Sequence, residues 1–141
     1  MLDSYRELID ELLATPTTVG QLASAQPPPL PAAVTRLIAE LRDRDLAVTS
    51  RLQAIMHERN PYLAAWRPAE PVIPADATAL LEELATARGD LVSLLMNLTL
   101  KQWENVASHE VDGEITLAEE VERHVEFDEQ QVAAIQEALR P

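Results

Sequence analysis

His124 and Asp128 are the residues of this chain best placed to do chemistry. They stand four apart, so on an α-helix their side chains share one face. An imidazole and a carboxylate so placed can hold a divalent cation such as zinc, with a third ligand, Glu40, from a facing helix. The plainer reading is a hydrogen-bonded pair that lines a helical core, each group satisfying the other. That reading carries more weight. Asp45 and Arg88 also fall on inward-facing stripes, and with His124 and Asp128 they would form a buried ionic cluster. Such a cluster favours one packing register more than it adds net stability.

Other chemistries find no support. The chain has no cysteine, which removes thiolate ligands, disulfides and cysteine nucleophiles together. Ser4, Ser24, Ser50, Ser93 and Ser108 are its only serines, and none sits in a Gly-x-Ser-x-Gly setting. No glycine-rich loop is present to cradle a phosphate. His57 falls near a helix end and His109 in a loop, which suits surface or capping roles. Trp66 and Trp103 are expected to pack in the core or as a lid over one end.

The elements that must position these residues are helices. Glycine is rare, proline is clustered, and no segment sustains a period of two. A first helix is expected from Ser4, whose spacing to Glu7 fits a capping box, with Leu8, Ile9, Leu12 and Leu13 as its apolar face. Thr15-Pro16 should interrupt it, leaving a short second piece over 17–24. A second helix should run from Pro31 to Glu58, with Val34, Leu37, Ile38, Leu41, Asp45, Val48, Leu52 and Ile55 on one stripe. Asn60-Pro61 stops it, and a proline-rich linker over 61–74 follows. A third helix capped by Asp76 should end near Leu98. Thr99 and Gln102 have capping-box spacing for a short helix that carries Trp103. Residues 108–115 are expected to form a loop turning at Gly113. The fourth long helix then opens on the capping box Thr116/Glu119 and carries Leu117, Val121, His124, Val125, Asp128, Val132, Ile135 and Leu139 inward.

Four long helices in 141 residues, 47% of them hydrophobic, define an all-α fold: one four-helix-bundle domain over residues 1–141. The charge is −13, from 24 acidic and 11 basic residues, with Lys101 the only lysine. Such a surface repels phosphate backbones and anionic lipid, so neither nucleic acid nor membrane is an expected partner. No apolar run reaches the ~20 residues a spanning helix requires. The N-terminus lacks a secretory signal pattern, and a cytoplasmic location is expected.

Two stretches resemble the DinB-like (damage-inducible) superfamily. Glu40-Leu41-Arg42-Asp43-Arg44-Asp45, followed by Asn60-Pro61, resembles a family pattern of His-Leu-Arg-Asp-Arg-Glu and then Asp-Asn-Pro. Trp103-Glu104, His109, Gly113-Glu114-Ile115-Thr116-Leu117 and Phe127-Asp128-Glu129-Gln130-Gln131-Val132 resemble Trp-Glu, His, Gly-x-Val-Thr-Leu and His-Asp-x-x-His-Leu. The resemblance implies a four-helix bundle, commonly a homodimer. Many members bind a divalent metal through three histidines, one on the second helix and an His-x-x-x-His pair on the last. Some are S-transferases or isomerases that use a low-molecular-weight thiol.

This chain departs at all three positions: Glu40, Phe127 and Gln131 stand where the histidines would be. The expectation is therefore a bundle with a vestigial metal site, no metal and no cofactor, acting as a non-catalytic binding or interaction module. The alternative is a thiol-dependent S-transferase-like enzyme with an altered site. Glu40, Asp45, His124, Asp128 and Gln131 form the candidate pocket, open to a small-molecule ligand.

Overall fold

The computed structural model describes residues 2–141 and consists mainly of four long helices. These are α1 (Leu2–Ser24), α2 (Ala32–His57), α3 (Ala77–Met96) and α5 (Leu117–Ala138), with the single turn α4 (Leu100–Trp103) before the last. The α1 and α2 helices each pack against both α3 and α5. Thus α1 and α2 occupy one diagonal of the bundle, and α3 and α5 the other. Consecutive helices α1 and α2 are not neighbours, so residues 25–31 have to cross a bundle end. The proline run within that connection suits a segment that must not be helical.

Helix starts follow local chemistry. The Asp76 carboxylate accepts from the Thr78 amide at the head of α3. Thr99/Gln102 and Thr116/Glu119 both form complete capping boxes, at α4 and α5. The N-terminal helix departs from expectation twice. It begins at Leu2, which places Ser4 inside the helix and not at its cap, and it runs unbroken through Pro16. Proline removes the amide that would bond the carbonyl four residues earlier. That carbonyl, on Leu12, instead accepts from the buried Arg88 at 2.7 Å, so the break is compensated from another helix. Leu13, expected on the apolar face, is half exposed.

A small sheet is the other departure. Residues 108–115, expected as a loop, belong to an antiparallel hairpin of β2 (Val106–His109) and β3 (Gly113–Thr116), paired from Val106↔Thr116 to His109↔Gly113. Strand β1 (Tyr62–Leu63) lies parallel to β2, with Tyr62 opposite Ser108. Four-residue strands are too short for alternation to stand out from helical periodicity. The sheet buries Leu63, Ala107 and Ile115 against one end of the bundle. Gly113 takes φ +71° at the turn, where a side chain would be strained. His109 caps that turn: its Nδ1 accepts from the Val111 and Asp112 amides at 3.1 and 3.2 Å. His57 is exposed in the last turn of α2.

The apolar core divides into two clusters. One gathers Leu12, Val48, Leu52, Leu91, Leu95, Val121 and Val125, together with the hairpin and Trp103. The other holds Val19, Val34, Ile38, Leu41, Leu80, Leu84 and Ile135. Each long helix passes from one cluster to the other, and each carries a polar side chain at the crossing: Thr15, Asp45, Arg88 and Asp128. Among the described residues, no helix is long and apolar enough to cross a membrane.

Candidate functional site

Arg88 occupies the centre of the bundle with 1% of its surface exposed. Its Nη1 donates to the Leu12 carbonyl and to Asp128 Oδ2, both at 2.7 Å, and its Nη2 donates to Asp128 Oδ1 at 2.8 Å. Its Nε donates to Asp45 Oδ1 at 2.9 Å. The guanidinium thus forks onto one carboxylate and bridges to a second, the geometry arginine is built for. Burial opposes its charge, but the hydrogen bonds it donates to Asp128 and the fields of Asp128 and Asp45 outweigh it and raise its pKa. Thr15 Oγ1 adds a bond to Asp128 Oδ2 at 2.8 Å, so all four long helices meet in this layer.

His124 is fully buried beside it. Its Nδ1 accepts from Arg44 Nε at 3.1 Å, which places the ring proton on Nε2. Nε2 then donates to Asp45 Oδ1 at 2.6 Å. In this tautomer the imidazole is neutral, and two guanidinium groups balance two carboxylates. Asp45, Arg88, His124 and Asp128 therefore converge, but His124 and Asp128 do not pair with each other as the sequence reading had it. The i, i+4 spacing puts them on one face, and separate partners from α2 and α3 take each one. No buried side-chain nitrogen or oxygen among the described residues is left without a partner.

Arg44 was missed from sequence, although it lies one turn after Glu40 and beside Asp45. Its guanidinium carbon sits 4.8 Å from the Phe127 ring centroid and 5.1 Å from that of Trp66. The two rings meet edge to face at 5.4 Å. Burial lowers the Arg44 pKa, and the flanking rings offset part of the lost hydration by cation–π attraction. Trp66 is thus a lid residue. Its segment is tied down by Arg51, which donates to the Ala64 carbonyl at 2.6 Å, and by Glu110, which accepts from the Ala65 amide at 3.1 Å. Trp103 packs in the core against Tyr5, ring on ring at 4.4 Å.

Glu40 and Gln131 meet across α2 and α5. Gln131 Nε2 donates to Glu40 Oε1 and to the Leu37 carbonyl, both at 3.0 Å. The other Glu40 oxygen lies 3.6 Å from Arg36. Phe127, one turn before Gln131, stacks beside His124 and joins the nearby apolar cluster. These three side chains do not suit a metal ion. Phe127 has no donor atom, the Gln131 amide is an acceptor of modest strength, and Glu40 is already engaged on both oxygens. Among the described residues, no group of three His, Cys, Asp or Glu side chains is arranged to hold a metal ion. Glu40 is drawn to Gln131 and Arg36 and takes no part in the His124–Asp45 network.

Fold and site together define a four-helix bundle with a charged layer through its middle. The solved structure of YfiT from Bacillus subtilis, described as a probable metal-dependent hydrolase with an unusual four-helix bundle topology, has a similar fold. The TM-score is 0.79 over 95% of this chain and 85% of that one, at 20% sequence identity. At that identity the likeness speaks for the fold. No family model matches the chain, and no curated protein matches it.

Proposed function

We propose that this chain is a member of the DinB-like superfamily that has kept the bundle and lost the metal centre, and that it works in the cytoplasm as a non-catalytic binding or interaction module. The observation that carries this reading is the contact between Gln131 and Glu40, 3.0 Å apart on facing helices, with Phe127 beside them. The resemblance puts three ligands at these positions. Here they are filled by a carboxylate–carboxamide hydrogen bond and a phenyl ring, under a lid of Arg44 and Trp66. Metal-dependent hydrolysis is said of YfiT, and this donor set gives no support for carrying it over.

The test is a thermal melt with zinc or nickel. The wild type should show no metal-dependent rise in Tm. The variant Glu40→His/Phe127→His/Gln131→His should gain one, since a ligand held only by the folded state stabilises it by about 2.7 kcal/mol at a hundred times its Kd. A rise in the wild type at near-stoichiometric zinc would overturn the reading.

A further inference from the structure

A different face of the bundle carries a feature that the metal-site reading does not use. Between α2, α3 and residues 72–74 runs an open groove of about 820 Å³. Three aliphatic side chains are left in water there: Leu46 is 56% exposed, Val72 85% and Ile73 37%. The rim is acidic. Asp43, Glu82, Glu83 and Asp90 line it, with Arg42 the one basic residue. Arg42 is already committed to Asp43 at 2.9 Å and Glu83 at 2.7 Å. Glu82 and Asp90 have no ion-pair partner among the described residues.

We propose that this groove docks a cationic amphipathic helix of a partner protein. Its aliphatic stripe would cover Leu46, Val72 and Ile73, and its lysines or arginines would meet Glu82 and Asp90. Charge decides among the possible occupants. An anionic partner is repelled by four carboxylates that share one guanidinium. A second copy would bring the same carboxylates face to face. It offers little concentrated basic surface in return: Arg36, Arg42, Arg51, Arg88, Arg123 and Arg140 are already in ion pairs, and the exposed Arg6, Arg59, Arg67 and Lys101 are spread over α1, the segments flanking β1, and α4. The apolar groove near Tyr5 and Leu100 sets one arginine, Arg6, against one aspartate, Asp10, so charge selects no partner there. Length fits as well. The α3 wall runs from Ala79 to Asp90, which spans about 16 Å or three turns of helix. A docked helix buries residues at i, i+3 and i+4 while its flanks stay polar.

The experiment uses the full chain and a fluorescein-labelled leucine/lysine peptide of about three to four turns with leucine on one face, read by anisotropy. A peptide with glutamate in place of lysine is the counterpart probe. The wild type should bind the lysine peptide and not the glutamate one, and binding should weaken as salt is added. Glu82→Lys/Asp90→Lys should weaken it about tenfold, and Leu46→Ala should weaken it as well. Glu114→Lys/Glu122→Lys makes the same charge change away from the groove and should leave affinity within about twofold. All four carboxylates are exposed, so these variants should melt like the wild type. Equal weakening by both charge variants, no weakening by the groove variant, or no binding at low salt would each overturn the proposal. So would a fall in solution mass caused by Leu46→Ala, since a second copy would then be the occupant. None of these outcomes depends on the metal-site reading.

Discussion

Arg88 Nη1 on α3 donates to the carbonyl of Leu12 on α1 at 2.7 Å, and that carbonyl is free because Pro16, four residues on, has no amide hydrogen. The proline thus makes an acceptor available inside the bundle, and the buried guanidinium uses it. The same guanidinium holds Asp45 and Asp128. One sequence feature that would ordinarily end a helix is therefore part of the layer that ties four helices together.

Pro16→Ala should consequently change stability little. A proline in a helix interior ordinarily costs about 3 kcal/mol relative to alanine. Here the carbonyl it orphans already has a partner, and alanine also gives the unfolded chain more freedom. The expected gain is under about 1 kcal/mol by urea unfolding. A gain near the full helix-propensity difference would show that Arg88 does not compensate the break.

Arg88→Met keeps most of the side-chain volume and removes the charge. It strands Asp45 and Asp128 in the core, and breaking a buried pair in this way costs about 3–5 kcal/mol. Adding Asp45→Asn and Asp128→Asn should recover part of that loss, because neutral amides leave no uncompensated charge. Unfolding midpoints of the single and triple variants check this. If the triple variant is the less stable by the sum of its parts, the three residues act independently and the network account fails.

Alkaline pH should loosen the N-terminal end. The Tyr5 hydroxyl donates to Glu104 at 2.7 Å, and that bond, with burial and the nearby Glu104 and Glu122 charges, pushes its pKa up from 10.0 to about 12. A group held protonated in the folded state stabilises it fully below its unfolded pKa. That contribution is lost as pH rises through the folded value, so the window is pH 10.0 to about 12. Absorbance titration of tyrosinate in wild type and Tyr5→Phe isolates the late step. A single early step in both proteins would contradict the bond.

The homodimer implied by the family resemblance is a further expectation. Light scattering should give about twice the 15.6 kDa chain mass across micromolar concentrations. A steady monomer mass would remove it.

Much of this architecture can be read from residues in order. Apolar spacing marks four long helices, and Asp76, Thr99/Gln102 and Thr116/Glu119 mark three starts, because caps and amphipathic faces are short-range properties of the chain. The same spacing turns Asp45, Arg88, His124 and Asp128 inward. Which of them would touch was decided only in the folded molecule. Imidazole and carboxylate at i, i+4 share a face, yet His124 bonds Asp45 and Asp128 bonds Arg88, because the stronger partners arrive from facing helices. Continuity through Pro16 was likewise beyond local reading, since the donor that compensates it lies 76 residues from the Leu12 carbonyl it serves. The hairpin over 106–116 was hidden because strands of four residues are held by backbone pairing more than by side-chain pattern. That Glu40, Phe127 and Gln131 stand where the resemblance places three histidines could be read from sequence. That Gln131 bonds Glu40 while Arg44 and Trp66 close over Phe127 depends on how α2, α5 and the 61–74 connection pack, and packing is a property of the whole chain.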